Sequence, residues 1–162
     1  MIELKELMLR RPRLTLAVAE SLTCGQVQAR IGAISGASEF FLGGITAYTL
    51  EQKVAHLGVN RAAARRVDCV SAAVAREMAR GACRLFGSDL ALATTGYAEP
   101  SAAAGVETPF AWWALAHVRR GRTVALRSGR VECPGARRTA VQAIVADAVL
   151  AELRDYLQLL RH

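Results

Sequence analysis

The fold class this sequence predicts is a three-layer α/β/α sandwich on a mixed, mostly parallel sheet. Three observations carry the prediction. Short apolar runs with strand character alternate with segments of helical spacing as far as Thr95. Two further strand-like runs then follow one another around Arg120-Gly121, and such a hairpin makes the sheet mixed. The chain has 162 residues, 52% of them hydrophobic and 22% charged, which suits one domain over 1–162 with a single well-filled interior.

Taken in order, residues 2–10 read as a helix and 14–19 as a short buried strand. Thr23-Cys24-Gly25-Gln26 has the spacing of a capping box and opens a helix to about Ile31. Small residues from Gly32 to Ser38 predict a loop, and Phe40 to Tyr48 a strand interrupted by Gly43-Gly44. A second capping box, Thr49-Leu50-Glu51-Gln52, starts a helix that Gly58 ends. Ser71 caps a long helix to Phe86, with Gly87 after it; Val74, Met78, Ala82 and Leu85 keep its apolar spacing. Asp89 to Thr95 is a buried strand, followed by a loop from Gly96 to Pro109. Phe110–Val118 and Thr123–Val131 form the hairpin, and an amphipathic helix runs from Gly135 onward. Trp112 and Trp113, with apolar neighbours on both faces, mark a central strand or a subunit interface.

Composition narrows the class of function. No apolar run reaches the roughly 18 residues of a membrane span. Arg10, Arg11 and Arg13 precede a short apolar run, but Glu3 and Glu6 and the brevity of that run argue against a secretory leader. Cys24, Cys69, Cys83 and Cys133 make no Cys-x-x-Cys pair, and His56, His117 and His162 are scattered, so a reduced, cytoplasmic, metal-free protein is expected. The formal charge is +7, from 21 basic and 14 acidic residues. No nucleic-acid motif and few aromatics accompany that charge, so a solvated basic surface is expected rather than a nucleic-acid groove. All of the basic residues but Lys5 and Lys53 are arginine. Arginine holds its proton, whereas a lysine in a dry pocket can lose it, which singles out Lys53.

In open α/β sheets ligands gather at the carboxyl ends of strands. Glu20-Ser21-Leu22-Thr23, Tyr48-Thr49 and Gly96-Tyr97 all fall at such ends. If Thr23 caps the following helix, the Ser21 hydroxyl is free beside a positive helix end; alternatively Ser21 is itself the cap. A serine nucleophile needs a base, and a desolvated Lys53 can serve where no Asp–His pair is evident; the alternative is a solvent-facing lysine. Tyr48 either hydrogen-bonds one of these partners or is an amphipathic core residue. Arg137 and Arg138 fall in the first turn of the last helix, where positive charge opposes the helix dipole unless an anion is bound; the alternative is a solvated pair. There is no Gly-x-Ser-x-Gly elbow, Walker A loop or dinucleotide fingerprint.

Ala19-Glu20-Ser21-Leu22-Thr23-Cys24-Gly25 resembles the Ala-Glu-Ser-Leu-Thr-Gly-Gly signature of the CinA C-terminal domain family, which includes stand-alone nicotinamide mononucleotide deamidases. The likeness continues through Gly36-Ala37, Phe41, Gly43-Gly44, Tyr48, Lys53, Leu57-Gly58-Val59, Val70-Ser71, Val74-Ala75, Met78-Ala79, Gly81 and Thr95-Gly96. The resemblance implies an α/β/α fold and hydrolysis of a carboxamide without a cofactor or metal. Nicotinamide mononucleotide and water would give nicotinate mononucleotide and ammonia. Ser21 would be the nucleophile, Lys53 its base and Tyr48 a third catalytic group. Glu20, Thr23, Gly44, Gly96 and Arg137 would hold a small nucleotide substrate. A homo-oligomer is expected, without membrane or nucleic-acid partners.

The sequence also departs from the family. Cys24 stands for a glycine, and Thr49-Leu50 for Ser-Asn. Ala136 and Val141 replace an aspartate and a second arginine around Arg137. The segment after Gly96 reads Tyr97-Ala98-Glu99-Pro100-Ser101-Ala102-Ala103-Ala104 where the family has a glycine-rich loop. A carboxylate at Glu99 repels a phosphate, so the alternative expectation is an inactive or re-purposed member that binds another nucleotide or amide.

Overall fold

A computed structural model describes residues 3–161. Ile2 of the predicted first helix, both ends of the expected 1–162 domain and His162 lie outside the described residues. The five strands are β1 (Leu16–Glu20), β2 (Phe41–Thr46), β3 (Leu90–Tyr97), β4 (Phe110–Arg119) and β5 (Arg122–Glu132). Their order across the sheet is β2-β1-β3-β4-β5. β1 pairs in parallel with both β2 and β3, while β4 runs antiparallel to β3 and to β5. Four strands therefore point one way and only β4 opposes them. Arg119 faces Arg122 across the hairpin, whose turn residues Arg120 and Gly121 have φ of 50° and 75°. Two such left-handed residues are what a tight turn between right-twisted strands requires.

Strand sequences explain the layers. Along β1, β3 and β4, large and small residues alternate, and successive side chains point to opposite faces. Leu16, Val18, Leu90, Leu92, Trp113 and Leu115 fill one face, against helices α1 (Leu4–Leu9), α2 (Gln26–Gly32) and α6 (Arg138–Arg161). Ala17, Ala19, Ala91, Ala93, Ala114 and Ala116 cover the other, against α3 (Leu50–Leu57), α4 (Arg61–Arg66) and α5 (Ala72–Phe86). An alanine floor lets α5 lie close to the strands, and α5 answers with Ala75, Ala79 and Ala82. Trp113 is buried in the larger-residue layer and Trp112 packs on the alanine side, so β4 is central, one of the two placements expected for that pair.

Several boundaries differ from the sequence reading. Thr23 does not cap α2: the helix starts at Gln26, after Gly25 with φ 95°, and the Thr23 hydroxyl bonds Thr94 instead. Thr49 does cap α3, accepting from the Gln52 amide at 3.4 Å, but the Gln52 side chain turns to His56 rather than closing the box. Ser71 caps α5 as expected, and Gly58 and Gly87 end α3 and α5 with φ of 66° and 67°. Helix α4 was absent from the sequence reading; Asn60 Oδ1 caps it by accepting from Ala63 N–H. β3 runs on through Gly96 and Tyr97, which were expected in a loop, and a short 3-10 turn at Ala37–Glu39 begins in the expected Gly32–Ser38 loop and ends one residue beyond it. Among the described residues no helix is long and apolar enough to cross a membrane.

Candidate active site

Because β1, β2 and β3 are parallel, their carboxyl ends open on the same side of the sheet. The three predicted segments converge there on a cleft of about 450 Å³. Ser21 and Leu22 follow β1, Tyr48 and Thr49 follow β2, and Gly96 and Tyr97 close β3. A fourth wall, Asp68 to Val70, comes from the connection between α4 and α5.

Ser21 and Lys53 meet at the floor. Lys53 Nζ lies 2.9 Å from Ser21 Oγ, and 2.9 Å from each of the carbonyl oxygens of Ala47 and Tyr48. The lysine is only 1% exposed, which excludes the solvent-facing alternative. As an ammonium it would donate all three N–H groups to these partners. As a neutral amine it keeps two N–H bonds to the carbonyls, and its lone pair then accepts the Ser21 hydroxyl proton. Burial pushes the lysine pKa below its usual 10.5; the nearby Cys69 and Asp68 oppose that shift. Burial thus works toward the neutral amine that can accept a proton, while the three oxygens around Nζ favour the ammonium.

Neighbouring strands hold the serine in place. Its amide donates to Thr94 O at 3.1 Å, and Cys24 N–H closes a turn on Ser21 O. Ser21 is not the cap of α2. That work falls to Glu20, whose buried carboxylate accepts from the amides of Gly25, Val27 and Gln28 at 2.9–3.1 Å. The Leu22 amide donates to no acceptor among the described residues.

The other predicted site residues divide between cleft and support. Glu20 and Thr23 are fully buried and do not line the cleft; their polar atoms are taken by helix amides and by Thr94. Gly44 lies within β2, away from the cleft, where a Cβ would press on the Gln28 side chain. Gly96 does line it, and a Cβ there would fall 2.3 Å from Phe110 O, so the pairing of β3 with β4 itself demands glycine. Tyr48 is 52% exposed, and its hydroxyl meets neither Ser21 nor Lys53; its backbone carbonyl holds the lysine. Arg137 is exposed and outside the cleft lining, whereas Arg138 lines it. Only Arg138 falls in the first turn of α6, where both were expected; Arg137 precedes the helix.

Three features escaped the sequence reading. Arg138 donates to Glu99 at 2.5 Å and reaches the Tyr48 hydroxyl at 3.5 Å, joining α6 to the loop after β3 and to the segment after β2. This contact lowers the Glu99 pKa and raises that of Arg138. Tyr97 donates its hydroxyl to Asp68 at 2.9 Å; burial and that carboxylate push its pKa up to about 12. Asp68 and Cys69 both have left-handed backbones, with φ of 51° and 61°, and Thr95 fixes the bend by donating to Cys69 O at 2.6 Å. Burial raises the Cys69 pKa, against the pull of Lys53. Consecutive non-glycine residues of positive φ carry no strong sequence signal, although aspartate tolerates that conformation better than most residues. Among the described residues no group of three or more His, Cys, Asp or Glu could hold a metal ion.

The CinA C-terminal domain family model matches residues 2–157. A CinA-like protein of Chlorobium limicola is 37% identical over 93% of this chain, and one of Citrifermentans bemidjiense is 42% identical over 93%. In each case the match spans 35% of the relative, so the chain spans about a third of the length of these relatives. Among solved structures, a competence-damaged protein (CinA) superfamily protein of Klebsiella pneumoniae superposes with a TM-score of 0.83 at 28% identity, covering 93% of this chain and 91% of the other. A competence/damage inducible protein of Agrobacterium tumefaciens gives 0.78 at 26% identity, covering 90% and 86%. The family match over nearly the whole chain, with the relatives and the shared fold, places this protein in the CinA C-terminal domain family.

Proposed function

We propose that the chain is an amidohydrolase of the nicotinamide mononucleotide deamidase type, which hydrolyses the carboxamide of a ribosylated nicotinamide and releases ammonia. The observation that carries this reading is the buried contact of Lys53 with Ser21 and with two backbone carbonyls. In the first step Ser21 Oγ attacks the carboxamide carbon while its proton passes to the Lys53 lone pair. The Leu22 amide, adjacent to the nucleophile and without a protein acceptor, is a donor for the developing oxyanion. Collapse of the tetrahedral intermediate breaks the C–N bond, and the Lys53 ammonium returns the proton to the leaving nitrogen, which departs as ammonia. Water then attacks the Ser21 ester, with Lys53 again taking and returning a proton, and the acid product leaves.

Purified protein incubated with nicotinamide mononucleotide is expected to release ammonia in step with nicotinate mononucleotide. Ser21→Ala is expected to lower kcat by about 1,000-fold or more, since nucleophile and base act as a unit. Equal rates in the two proteins would refute the assigned mechanism. A second reading, a re-purposed member that binds another nucleotide or amide, is supported by Glu99, which places a carboxylate at the cleft. Tight ligand binding without ammonia release would favour it.

A further inference from the structure

The cleft wall carries an unusual set of charges for a site meant to hold a phosphate. Four of its lining residues are acidic or basic: Asp68, Glu99, Lys53 and Arg138. Arg138 is already matched by Glu99 at 2.5 Å, with Tyr48 at its other edge. Lys53 is enclosed by Ser21 and two carbonyls and turns no N–H toward the cleft mouth. Asp68 accepts from the Tyr97 hydroxyl at 2.9 Å and has no cationic partner among the described residues. Above this buried floor, the exposed part of the lining holds two carboxylates, Asp68 and Glu99, against one guanidinium, Arg138. Two aromatic faces, Tyr48 and Tyr97, complete the wall.

A phosphate dianion entering this cleft has to draw Arg138 away from Glu99 and leave a carboxylate beside it. A cationic aromatic ring finds the opposite: a surplus carboxylate and tyrosine faces whose quadrupoles attract positive charge. Resting on the amidohydrolase reading, we propose that Glu99 is a specificity-determining residue that turns the cleft toward a phosphate-free, cationic pyridinium carboxamide N-glycoside and against its phosphate ester. Glu99 and Arg138 make no hydrogen bond to Ser21 or Lys53, so the charge at the wall is separate from the reacting pair.

The test compares nicotinamide riboside with nicotinamide mononucleotide in the wild type and in Glu99→Gln. Wild-type kcat/KM is expected to favour the riboside by about fivefold or more, the order of a single uncompensated charge at a partly solvated site. Glu99→Gln frees Arg138 and is expected to erase or reverse that preference, through a lower KM for the mononucleotide with kcat little changed. In Glu99→Gln/Arg138→Gln the gain for the mononucleotide is expected to disappear. A wild type that prefers the mononucleotide, or a substrate ratio unmoved by Glu99→Gln, overturns the proposal. Calorimetric titration of the two acid products, nicotinate riboside and nicotinate mononucleotide, reads the same selectivity without turnover. Absence of ammonia from every protein therefore counts against the amidohydrolase reading, while the binding ratio and its response to Glu99→Gln still decide the role of Glu99. Equal affinities in the wild type would overturn that role.

Discussion

Lys53 is one of two lysines in a chain that otherwise places arginine at every basic position, and the physical difference between the two side chains accounts for its location. A guanidinium at this depth would stay charged; an amine can shed its proton and become a base. Because burial depresses its pKa, the neutral form is populated below the ordinary 10.5. Under the proposed mechanism kcat/KM therefore rises with pH and reaches its plateau before 10.5. Lys53→Arg is expected to lower kcat/KM by about 100- to 10,000-fold and to abolish that rise. A pH–rate profile of the two proteins checks both. The stability sign is also determined. The folded chain binds this proton less readily than the unfolded chain, so Lys53 contributes a loss of stability as pH falls from 10.5 through its folded value. Rarity of lysine was visible in the sequence; its three partners, from the turn after β1 and from Ala47-Tyr48 after β2, were not.

At the scale of elements, the turn between β1 and α2 shows how a motif residue can be read correctly in position and wrongly in role. Glu20 belongs to the signature that carried the resemblance, and a substrate contact was expected of it. The structure gives it three backbone amides at the start of α2, far better satisfied than a Thr23 cap would have left them. Its substitution should therefore act on stability. Glu20→Ala leaves three buried or half-buried donors without an acceptor and is expected to cost roughly 3 kcal/mol, read from the urea midpoint. Glu20→Gln keeps one acceptor oxygen but turns an NH₂ toward amide donors, and is expected to be destabilising too. The alternation of Leu or Trp with Ala along β1, β3 and β4 was legible in the sequence as strand character. Which side would receive the alanines, and hence where α5 lies closest, depended on the partner helices. Helix α4 was missed because six residues, mostly Ala and Arg, present little apolar periodicity; its one sequence signal was the Asn60 cap.

Across the whole molecule the sheet and its outer layers are tied by a few buried polar contacts, of which His117 on β4 and Tyr156 on α6 form one. His117 Nδ1 lies 2.6 Å from the tyrosine hydroxyl, and Nε2 has no partner among the described residues. Burial lowers the histidine pKa from 6.5, Asp89 pulling it back; a protonated ring would also carry a second N–H with nothing to accept it. The folded state then binds the proton less than the unfolded state does. Stability is expected to fall as pH drops below 6.5, and to level off below the folded value. His117→Phe is expected to flatten the unfolding midpoint over that window, and urea titrations at several pH values between 7.5 and 5 measure it.

What the sequence determined by itself was local or periodic. Strand alternation, the caps at Ser71 and Thr49, the Arg120-Gly121 turn and the mixed order of strands all follow from residues close together along the chain. The signature around Ser21 and the solitary Lys53 were legible for the same reason. The tertiary structure alone decided which arginine faces the cleft: Arg137 lies just before α6 and Arg138 is its first residue. It also turned Tyr48 from a hydroxyl partner into a carbonyl partner of Lys53, and joined Glu99 to Arg138 across 39 positions of sequence. These are matters of direction and long-range distance, and side-chain identity and spacing along the chain do not specify either until the sheet has brought its strand ends together.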